Sequence, residues 1–275
     1  MAKKGGGWLD ADTVMSADSY QVALYAAGGL VRAAEVVMDG GGSVFALVRP
    51  PGHHATSTQA MGFCLFNNVA IGAQYARQKY DLERILIIDW DLHHGNGTQN
   101  AFYQDPQVLF FSTHQYPYYP GSGSISEKGE KEGQGFTVNV PLPGGQGDDD
   151  FGVIYRELLQ PIVSDFKPQL ILVSAGYDIY FQDPLGAMEV TPEGFATLAS
   201  LIRDLAHSFC QGKVVVTLEG GYHLKGLRDS VKATLKELAG DSLLNGTKKA
   251  GKLSGTTERI IDEVKGVHKA FWPSL

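Results

Sequence analysis

The feature that most constrains the fold of this chain is a regular alternation of helical and strand patterns. Apolar residues recur at helical spacing from Ser19 to Met38, and a short apolar run from Ser43 to Val48 follows and stops at two prolines. The same order returns with a helical pattern from Asn68 to Lys79 and a strand from Arg84 to Asp89. This alternation is typical of a mainly parallel sheet with helices on both faces. We therefore predict an α/β fold.

The second half of the chain continues the alternation. The sequence predicts four further strands: Val108 to Ser112, Phe136 to Val140, Leu170 to Ser174 and Lys213 to Leu218. It predicts three further helices: Phe151 to Phe166, Thr191 to about Cys210 and Leu224 to about Ala239. Residues 113–150 are expected to be mostly loop, and residues 241–275 to form a C-terminal loop and one amphipathic helix. We expect residues 1–275 to form a single domain.

Composition and charge argue against several classes of protein. The chain is 43% hydrophobic and 19% charged, which is too apolar for a disordered regulator. Its 23 basic and 30 acidic residues give a net charge of -7, so we expect no direct nucleic-acid binding. Two cysteines cannot build a disulfide framework or a four-thiolate zinc site, and they indicate a reducing compartment. We find no apolar run long enough for a membrane span and no signal peptide, so we expect an intracellular, cytoplasmic protein.

Polar side chains collect where the predicted strands end. His53 and His54 follow the strand that begins at Ser43, and the segment Asp89 to His94 follows the next strand. Asp178 and Tyr222 follow the last two strands. Ligands of open α/β sheets bind at the carboxyl ends of the strands, where loops and helix starts converge. We therefore expect the active site at the C-terminal ends of the strands.

Two carboxylates and a histidine in this set have the donor atoms of a metal site. Asp91 and His93 are two residues apart on an extended segment, so their side chains point the same way. Such a pair alone is common and is most simply a solvated loop. When Asp178 is added, the set becomes one imidazole and two carboxylates with room for water, which is how a catalytic zinc is held. The sequence therefore predicts a zinc site.

The adjacent histidines and the tyrosine suggest acid–base chemistry beside that site. Neighbouring histidines are often incidental, but Asp89 and Asn96 could each bind the far ring nitrogen of one of them and set its tautomer. His53 and His54 would then be two oriented bases for proton transfer. Tyr222 follows two glycines and could either pack locally or donate a hydrogen bond to a developing oxyanion.

Six motifs then occur in order along the chain: Arg49-Pro-Pro-Gly-His-His-Ala55, Gly62-Phe-Cys-Leu-Phe-Asn-Asn68, Asp89-Trp-Asp-Leu-His-His-Gly-Asn-Gly97, Ser174-Ala-Gly-Tyr-Asp178, Asp183-Pro-Leu-Gly186 and Glu219-Gly-Gly-Tyr222. Together they strongly resemble the zinc-dependent histone deacetylase and acetylpolyamine amidohydrolase family. The similarity runs from about Trp8 to Gly240. It implies the arginase/deacetylase-type α/β fold, a single deacetylase-type catalytic domain and one divalent metal at the strand ends.

The resemblance implies a role for each matching residue. Asp91, His93 and Asp178 match the zinc ligands, His53 and His54 the proton-transfer pair, Asp89 and Asn96 their orienting partners, and Tyr222 the group that polarises the acetyl carbonyl. The acyl-lysine channel is matched by Gly62, Phe63 and Tyr119 at its walls, Gly220 and Gly221 at its floor, Leu185 at its rim and Asp10 as the rim aspartate that grips the substrate backbone. A potassium ion is implied near the zinc, at groups matching Asp89, Asp91, His93, Ser112 and Thr113.

Two positions refine the substrate and subclass that the resemblance implies. Polyamine-selective relatives have a glutamate where this chain has Leu185, so acetylated lysine in a protein or peptide is favoured over a small acetylated amine. Asn96 resembles the class II pattern, because class I relatives have an aspartate there. We therefore predict a zinc-dependent hydrolase that converts N-acetyl-lysine to acetate and a free amine. The pattern indicates no oligomeric state.

Two alternatives remain from the sequence. Family members have an opening strand, helix and further segment before the region of Trp8, so we expect this chain to lack one supersecondary unit. A catalytically weak or inactive scaffold that binds acyl-lysine would fit that expectation. A binuclear manganese hydrolase such as arginase is disfavoured, because Gly95 stands where a second bridging aspartate is expected.

Overall fold

The computed structural model describes residues 2–241 and 254–275. The described chain begins with a short hairpin, β1 (Gly6–Trp8) and β2 (Val14–Ser16), which is followed by α1 (Ser19–Gly40) and β3 (Ser43–Ala46). The later elements are, in chain order, α2 (Asn68–Tyr80), β4 (Ile85–Asp89), α3 (Asn96–Phe102), β5 (Val108–Gln115), β6 (Thr137–Leu142), α4 (Asp148–Ile154), α5 (Gln160–Phe166), β7 (Leu170–Ala175), α6 (Pro192–Cys210), β8 (Val214–Leu218), α7 (Leu224–Leu238) and α8 (Gly255–His268).

Strands β3 to β8 form one parallel sheet, in the order β3-β8-β7-β4-β5-β6. The chain leaves β4 toward β5 and β6 on one side, and then returns to add β7 and β8 on the other. Asp89, the last residue of β4, is in register with Ser112 of β5 and with Ser174 of β7. The crevice where the strand order reverses therefore opens beside Asp89, which is where an α/β sheet binds its ligand.

Helices cover both faces of this sheet because the central strands are apolar on both sides. Along β4, Leu86 and Ile88 face a core built with α4, α5, α6 and α8. Ile85 and Ile87 alternate with them and face a second core built with α1 and α2. The predicted α/β architecture, a mainly parallel sheet with helices on both faces, is confirmed.

Helix α1 has a composition that the sequence prediction did not weigh. By length and mean hydropathy alone, α1 could cross a membrane, and no other helix among the described residues passes this test. Seven of its residues are buried, among them Leu30 and Val37 in the core shared with α2. Burial in the core accounts for those seven residues, whereas five other apolar residues of α1 are exposed: Tyr20, Val22, Leu24, Tyr25 and Val36.

Several boundaries differ from those predicted. β3 ends at Ala46 rather than at Val48, and β5 continues beyond Ser112 to Gln115. The hairpin β1–β2 and the short helix α3 were missed, because three-residue strands and a seven-residue helix that contains a glycine carry no readable period.

The helix expected from Phe151 begins at Asp148 instead. Three aspartates in its first turn interact favourably with the positive end of the helix dipole. A π-helical turn, Tyr155–Leu159, then joins α4 to α5. In the tail, α8 lies where a helix was expected, whereas most of the predicted loop, residues 242–253, lies outside the described residues.

Candidate active site

Three ligand atoms of the predicted zinc site converge at the sheet crevice. Nδ1 of His93 lies 3.2 Å from Oδ1 of Asp91 and 3.2 Å from Oδ2 of Asp178. One donor atom from each residue falls within 4.8 Å of the other two. Asp91 and His93 follow β4 and Asp178 follows the neighbouring strand β7, so the parallel register brings the three together.

The other carboxylate oxygens of this triad are held by backbone amides. Oδ1 of Asp178 accepts a hydrogen bond from the Leu92 amide at 3.0 Å, and Oδ2 of Asp91 accepts one from the Gly220 amide at 2.8 Å. Oδ2 of Asp178 is buried and forms no hydrogen bond, and its polar neighbour is Nδ1 of His93 at 3.2 Å. A buried carboxylate oxygen that forms no hydrogen bond is costly unless it meets a cation, so these residues fit a divalent metal with N and O ligands.

The electrostatics of the triad also favour a cation. Burial and the charge of Asp91 raise the pKa of Asp178 to about 6. Burial opposes protonation of His93, but its contacts with Asp178 and Asp91 raise its pKa to about 10. Two buried carboxylates close to one another thus favour the binding of positive charge between them.

The two adjacent histidines have different partners behind them. His53 donates from Nδ1 to Oδ2 of Asp89 at 2.9 Å, whereas His54 donates from Nδ1 to Oδ1 of Asn96 at 2.8 Å. An amide oxygen can only accept, so the proton of His54 lies on Nδ1 and its Nε2 is free to act as a base. Both imidazoles are almost fully buried and line the same cavity.

These partners separate the charge states of the pair. Burial opposes protonation of His53, yet the carboxylates of Asp89 and Asp91 outweigh it and hold its pKa well above the usual value. Burial and the neighbouring charge of His53 hold the pKa of His54 well below the usual value. The result is one cationic and one neutral imidazole side by side, which is the arrangement of an acid paired with a base.

Both histidines and two members of the triad, Asp91 and His93, line a small cavity of about 90 Å³. Its lining consists of Asp12, Pro51, His53, His54, Gly62, Phe63, Asp91, His93, Tyr119, Leu185, Gly220 and Tyr222. The rings of Phe63 and Tyr222 meet edge to face at 6.0 Å, and that of Tyr119 meets His54 edge to face at 5.1 Å. A Cβ on Gly220 would collide with the carboxylates of Asp91 and Asp178, so only glycine allows the backbone this close to the triad.

Tyr222 lines the same cavity as Asp91 and His93. Burial and the charges of Asp178 and Asp91 raise its pKa far above the usual value, so the phenol keeps its proton. The phenol is therefore protonated across the physiological pH range.

Two predicted substrate contacts lie outside the cavity lining. Oδ1 of Asp10 accepts hydrogen bonds from the amides of Asp12 and Thr13 and closes a turn between β1 and β2. Asp12, which the sequence reading passed over, lines the cavity and accepts a hydrogen bond from the Gly62 amide at 3.1 Å. Gly221 is also outside the lining, whereas Gly220 is within it.

The residues predicted for potassium lie behind the triad. Ser112 is next to Asp89 in the sheet register, and its hydroxyl is 2.9 Å from Nδ1 of His114. The hydroxyl of Thr113 is buried without a hydrogen-bond partner. These residues are brought together with the carboxylates of β4, but they are separated from the cavity.

A further buried acid, Glu219, was not singled out from the sequence. It is fully buried, its Oε2 accepts hydrogen bonds from the amides of Gly52 at 2.6 Å and His53 at 3.3 Å, and its Oε1 accepts one from the Ser174 hydroxyl at 3.0 Å. Burial raises the pKa of Glu219 to about 7. Its position at the exit of β8 was a signal, since the exits of β4 and β7 also carry buried acids. Glu219 anchors the backbone that carries His53.

Comparison with known proteins gives consistent matches. The model of the histone deacetylase domain matches residues 1–238. A protein named probable deacetylase from Archaeoglobus fulgidus is 45% identical over 227 residues, which cover 82% of this chain and 63% of that protein. Histone deacetylase 10, chloroplastic, of Oryza sativa subsp. japonica is 49% identical over 200 residues, which cover 73% of this chain and 45% of that protein.

Among solved structures, the crystal structure of the HDA15 HD domain superposes with a TM-score of 0.92 at 39% identity, covering 99% of this chain and 74% of that one. The resemblance seen in the six motifs and the fold it implies are therefore confirmed. The chain spans less than two thirds of the length of the two curated relatives.

Proposed function

Because the chain belongs to the histone deacetylase family, we propose that it is a zinc-dependent deacetylase that hydrolyses the amide of N-acetyl-lysine to acetate and a free amine. The observation that carries this proposal is the convergence of His93, Asp91 and Asp178 on one point beside a cavity that is also lined by His53, His54 and Tyr222. No other cluster of three such ligands is found in the described ranges.

The triad fits a zinc ion, with one imidazole nitrogen and two carboxylate oxygens as ligands. Such an ion supplies Lewis acidity, which polarises an amide carbonyl and acidifies water. The backbone amides of Leu92 and Gly220 orient the two carboxylates by binding their remaining oxygens.

Proton transfer divides between the two histidines. His54 is bound through Nδ1 to a neutral amide, so its free Nε2 takes the proton from the attacking water. His53 is paired with the carboxylate of Asp89, which favours its cation and stabilises negative charge that develops nearby. The proton taken from water is then returned to the nitrogen of the leaving lysine amine, so the products are acetate and the amine.

Tyr222 supplies the remaining hydrogen bond. As a buried phenol that keeps its proton, it donates to the oxygen of the amide as negative charge builds there. The aromatic rings of Phe63 and Tyr119 enclose the straight methylene chain of lysine behind the acetyl group.

The rim of the cavity supports acetyl-lysine over a cationic polyamine as the preferred substrate. Leu185 lines the cavity with an uncharged side chain. Asp12 is the carboxylate within the lining near the mouth, and it is suited to accept hydrogen bonds from backbone amides of a peptide substrate. A small acetylated amine offers no such amides beyond the acyl group.

The decisive experiment measures acetate release from an acetyl-lysine peptide by the zinc-loaded protein. We expect turnover, and we expect Tyr222→Phe to lower kcat by roughly 100- to 1,000-fold, as removal of an oxyanion donor does elsewhere. Tyr180→Phe, another tyrosine of the same region outside the cavity lining, is the control. A protein that binds the acetylated peptide in a filtration assay but releases no acetate would instead be an acyl-lysine-binding scaffold.

We further propose that Ser112 and Thr113 contribute to a potassium site behind the zinc. Residues 1–275 act as one catalytic domain. The protein works inside the cell, in the cytoplasm, on acetylated lysine and without nucleic acid or membrane as partners.

A further inference from the structure

Asp183 is a buried carboxylate outside the metal triad, and it binds three backbone amides. Its Oδ2 accepts hydrogen bonds from Tyr222 at 2.7 Å and His223 at 3.0 Å, and its Oδ1 accepts one from Leu185 at 3.0 Å. Its side chain is 6% exposed. Hydrogen bonds to an ionised carboxylate are about twice as strong as neutral ones, so this group is a firm anchor for both segments.

Both anchored segments contribute a residue to the cavity lining. One carries Tyr222, and the other carries the rim residue Leu185. The carbonyl of Leu185 is bound in turn by the Tyr118 hydroxyl at 2.9 Å, and the Tyr118 ring stacks on His93 at 5.7 Å. A continuous set of contacts therefore joins Tyr222, through Asp183 and the rim, to a ligand of the triad.

The backbone before Tyr222 needs such an anchor. Gly220 and Gly221 precede it, and Gly221 has a φ of +127°, a conformation that only glycine adopts easily. Two glycines leave the chain many alternative paths between β8 and α7. The Tyr222 amide is held by Asp183 immediately after this pair, so the carboxylate selects one path for the residue whose phenol must meet the substrate.

We propose that Asp183 is a positioning residue, which holds the Tyr222 phenol at the substrate carbonyl and ties it to the rim at Leu185. The positioning role of Asp183 rests on the proposed function, because Asp183 affects turnover only through the phenol of Tyr222. Asp183 itself lies outside the cavity lining and touches no reacting atom.

The test uses Asp183→Ala and Asp183→Asn in the full chain, each alone and combined with Tyr222→Phe. Asn keeps the volume but offers one acceptor oxygen instead of two, so its effect should be intermediate. Asp150→Ala is the matched control, because Asp150 also accepts a hydrogen bond from a backbone amide, that of Gly147, far from the cavity. For each protein we would measure kcat, KM and the hydrogen-exchange rates of the Tyr222 and His223 amides.

We expect Asp183→Ala to lower kcat by about tenfold or more with KM changed by less than about threefold, the size expected for losing charge-assisted hydrogen bonds. In the Tyr222→Phe background the same change should cost less than about threefold in residual turnover. The Tyr222 and His223 amides should exchange faster in Asp183→Ala than in wild type, and the control should alter neither quantity.

Equal losses of kcat in the two backgrounds would overturn the positioning role, as would unchanged exchange of the two amides. If Asp183→Ala does not fold, Asp183→Asn decides the same two comparisons. If the wild-type protein shows no turnover, the proposed function fails, and the exchange rates still decide whether Asp183 holds the Tyr222 backbone.

Discussion

His53 and His54 lie side by side with their ring centroids 4.0 Å apart, yet one is bound to a carboxylate and the other to an amide. Two neighbouring imidazoles in one buried space cannot both be charged at low cost, because like charges repel strongly there. The different partners, Asp89 and Asn96, assign the charge to His53 and leave His54 neutral. The identity of residue 96 thus decides which histidine can accept a proton.

Replacing Asn96 should therefore affect the base and not the metal. We expect Asn96→Ala to lower kcat by about 10- to 100-fold, because Nδ1 of His54 loses the acceptor that fixes its tautomer. Asn96→Asp keeps an acceptor oxygen for the Nδ1 proton, so it should lower kcat less than Asn96→Ala does, and its remaining loss at neutral pH should arise because the carboxylate favours the cation of His54. Zinc content should be unchanged in both variants. Equal losses of kcat in the two variants would contradict the tautomer argument.

Loss of one carboxylate from the triad should remove the metal. We expect elemental analysis of Asp178→Asn to show less than one zinc ion per chain, because the substitution removes a charged ligand. Its kcat should fall by at least about 100-fold for the same reason. A chelator should abolish turnover in the wild type, and added zinc should restore it. Asp229→Asn, which alters an exposed carboxylate paired with Arg228, is the control. A metal-free protein with full activity would exclude the proposed chemistry.

The rim residue should set the choice between peptide and polyamine substrates. We expect Leu185→Glu to raise turnover of an acetylated polyamine relative to an acetyl-lysine peptide by about fivefold, because a half-exposed ion pair contributes on the order of 1 kcal/mol. Leu185→Gln has nearly the same shape without the charge and should leave the ratio near that of wild type. An equal change in both variants would show that side-chain size, not charge, acts at the rim.

The stability of the fold should depend on pH through a histidine remote from the site. Burial and the charge of Lys128 lower the pKa of His268 from 6.5 to about 4. Between pH 6.5 and pH 4, His268 is therefore protonated in the unfolded chain but neutral in the folded one. The free energy of unfolding consequently falls as the pH decreases from about 6.5 to about 4. The shift of about 2.5 units corresponds to roughly 3 kcal/mol in the free energy of unfolding.

Denaturant unfolding between pH 7 and pH 4 measures this contribution. His268→Leu should lose less unfolding free energy over that range than wild type does, and the two curves should be offset in parallel above pH 7. The same substitution at His207, an exposed histidine on α6, controls for replacing an imidazole by an alkyl chain. Parallel curves throughout the range would exclude His268 as the source.

Much of the site could be predicted because its residues follow strands directly. Once a parallel sheet is inferred, residues such as Asp91 and Asp178 must meet at the same edge, whatever the length of chain between them. The pairing of Asp89 with His53 and of Asn96 with His54 takes place at the same edge, but β8 and β7 lie between β3 and β4, so the loop after β3 must cross these strand ends. The short elements escaped prediction because β1, β2 and α3 contain too few residues to show a period.

The sequence by itself determined the sheet and predicted the proposed ligand triad and the proposed histidine pair, because these depend on side-chain chemistry at strand ends. The tertiary structure alone decided which aspartate of the first hairpin reaches the cavity, Asp12 rather than Asp10. It also decided that Glu219 and Asp183 hold the backbones of His53 and Tyr222. Those roles depend on backbone amides that are distant in the chain, and a backbone amide has no identity in the sequence until folding places it beside its acceptor.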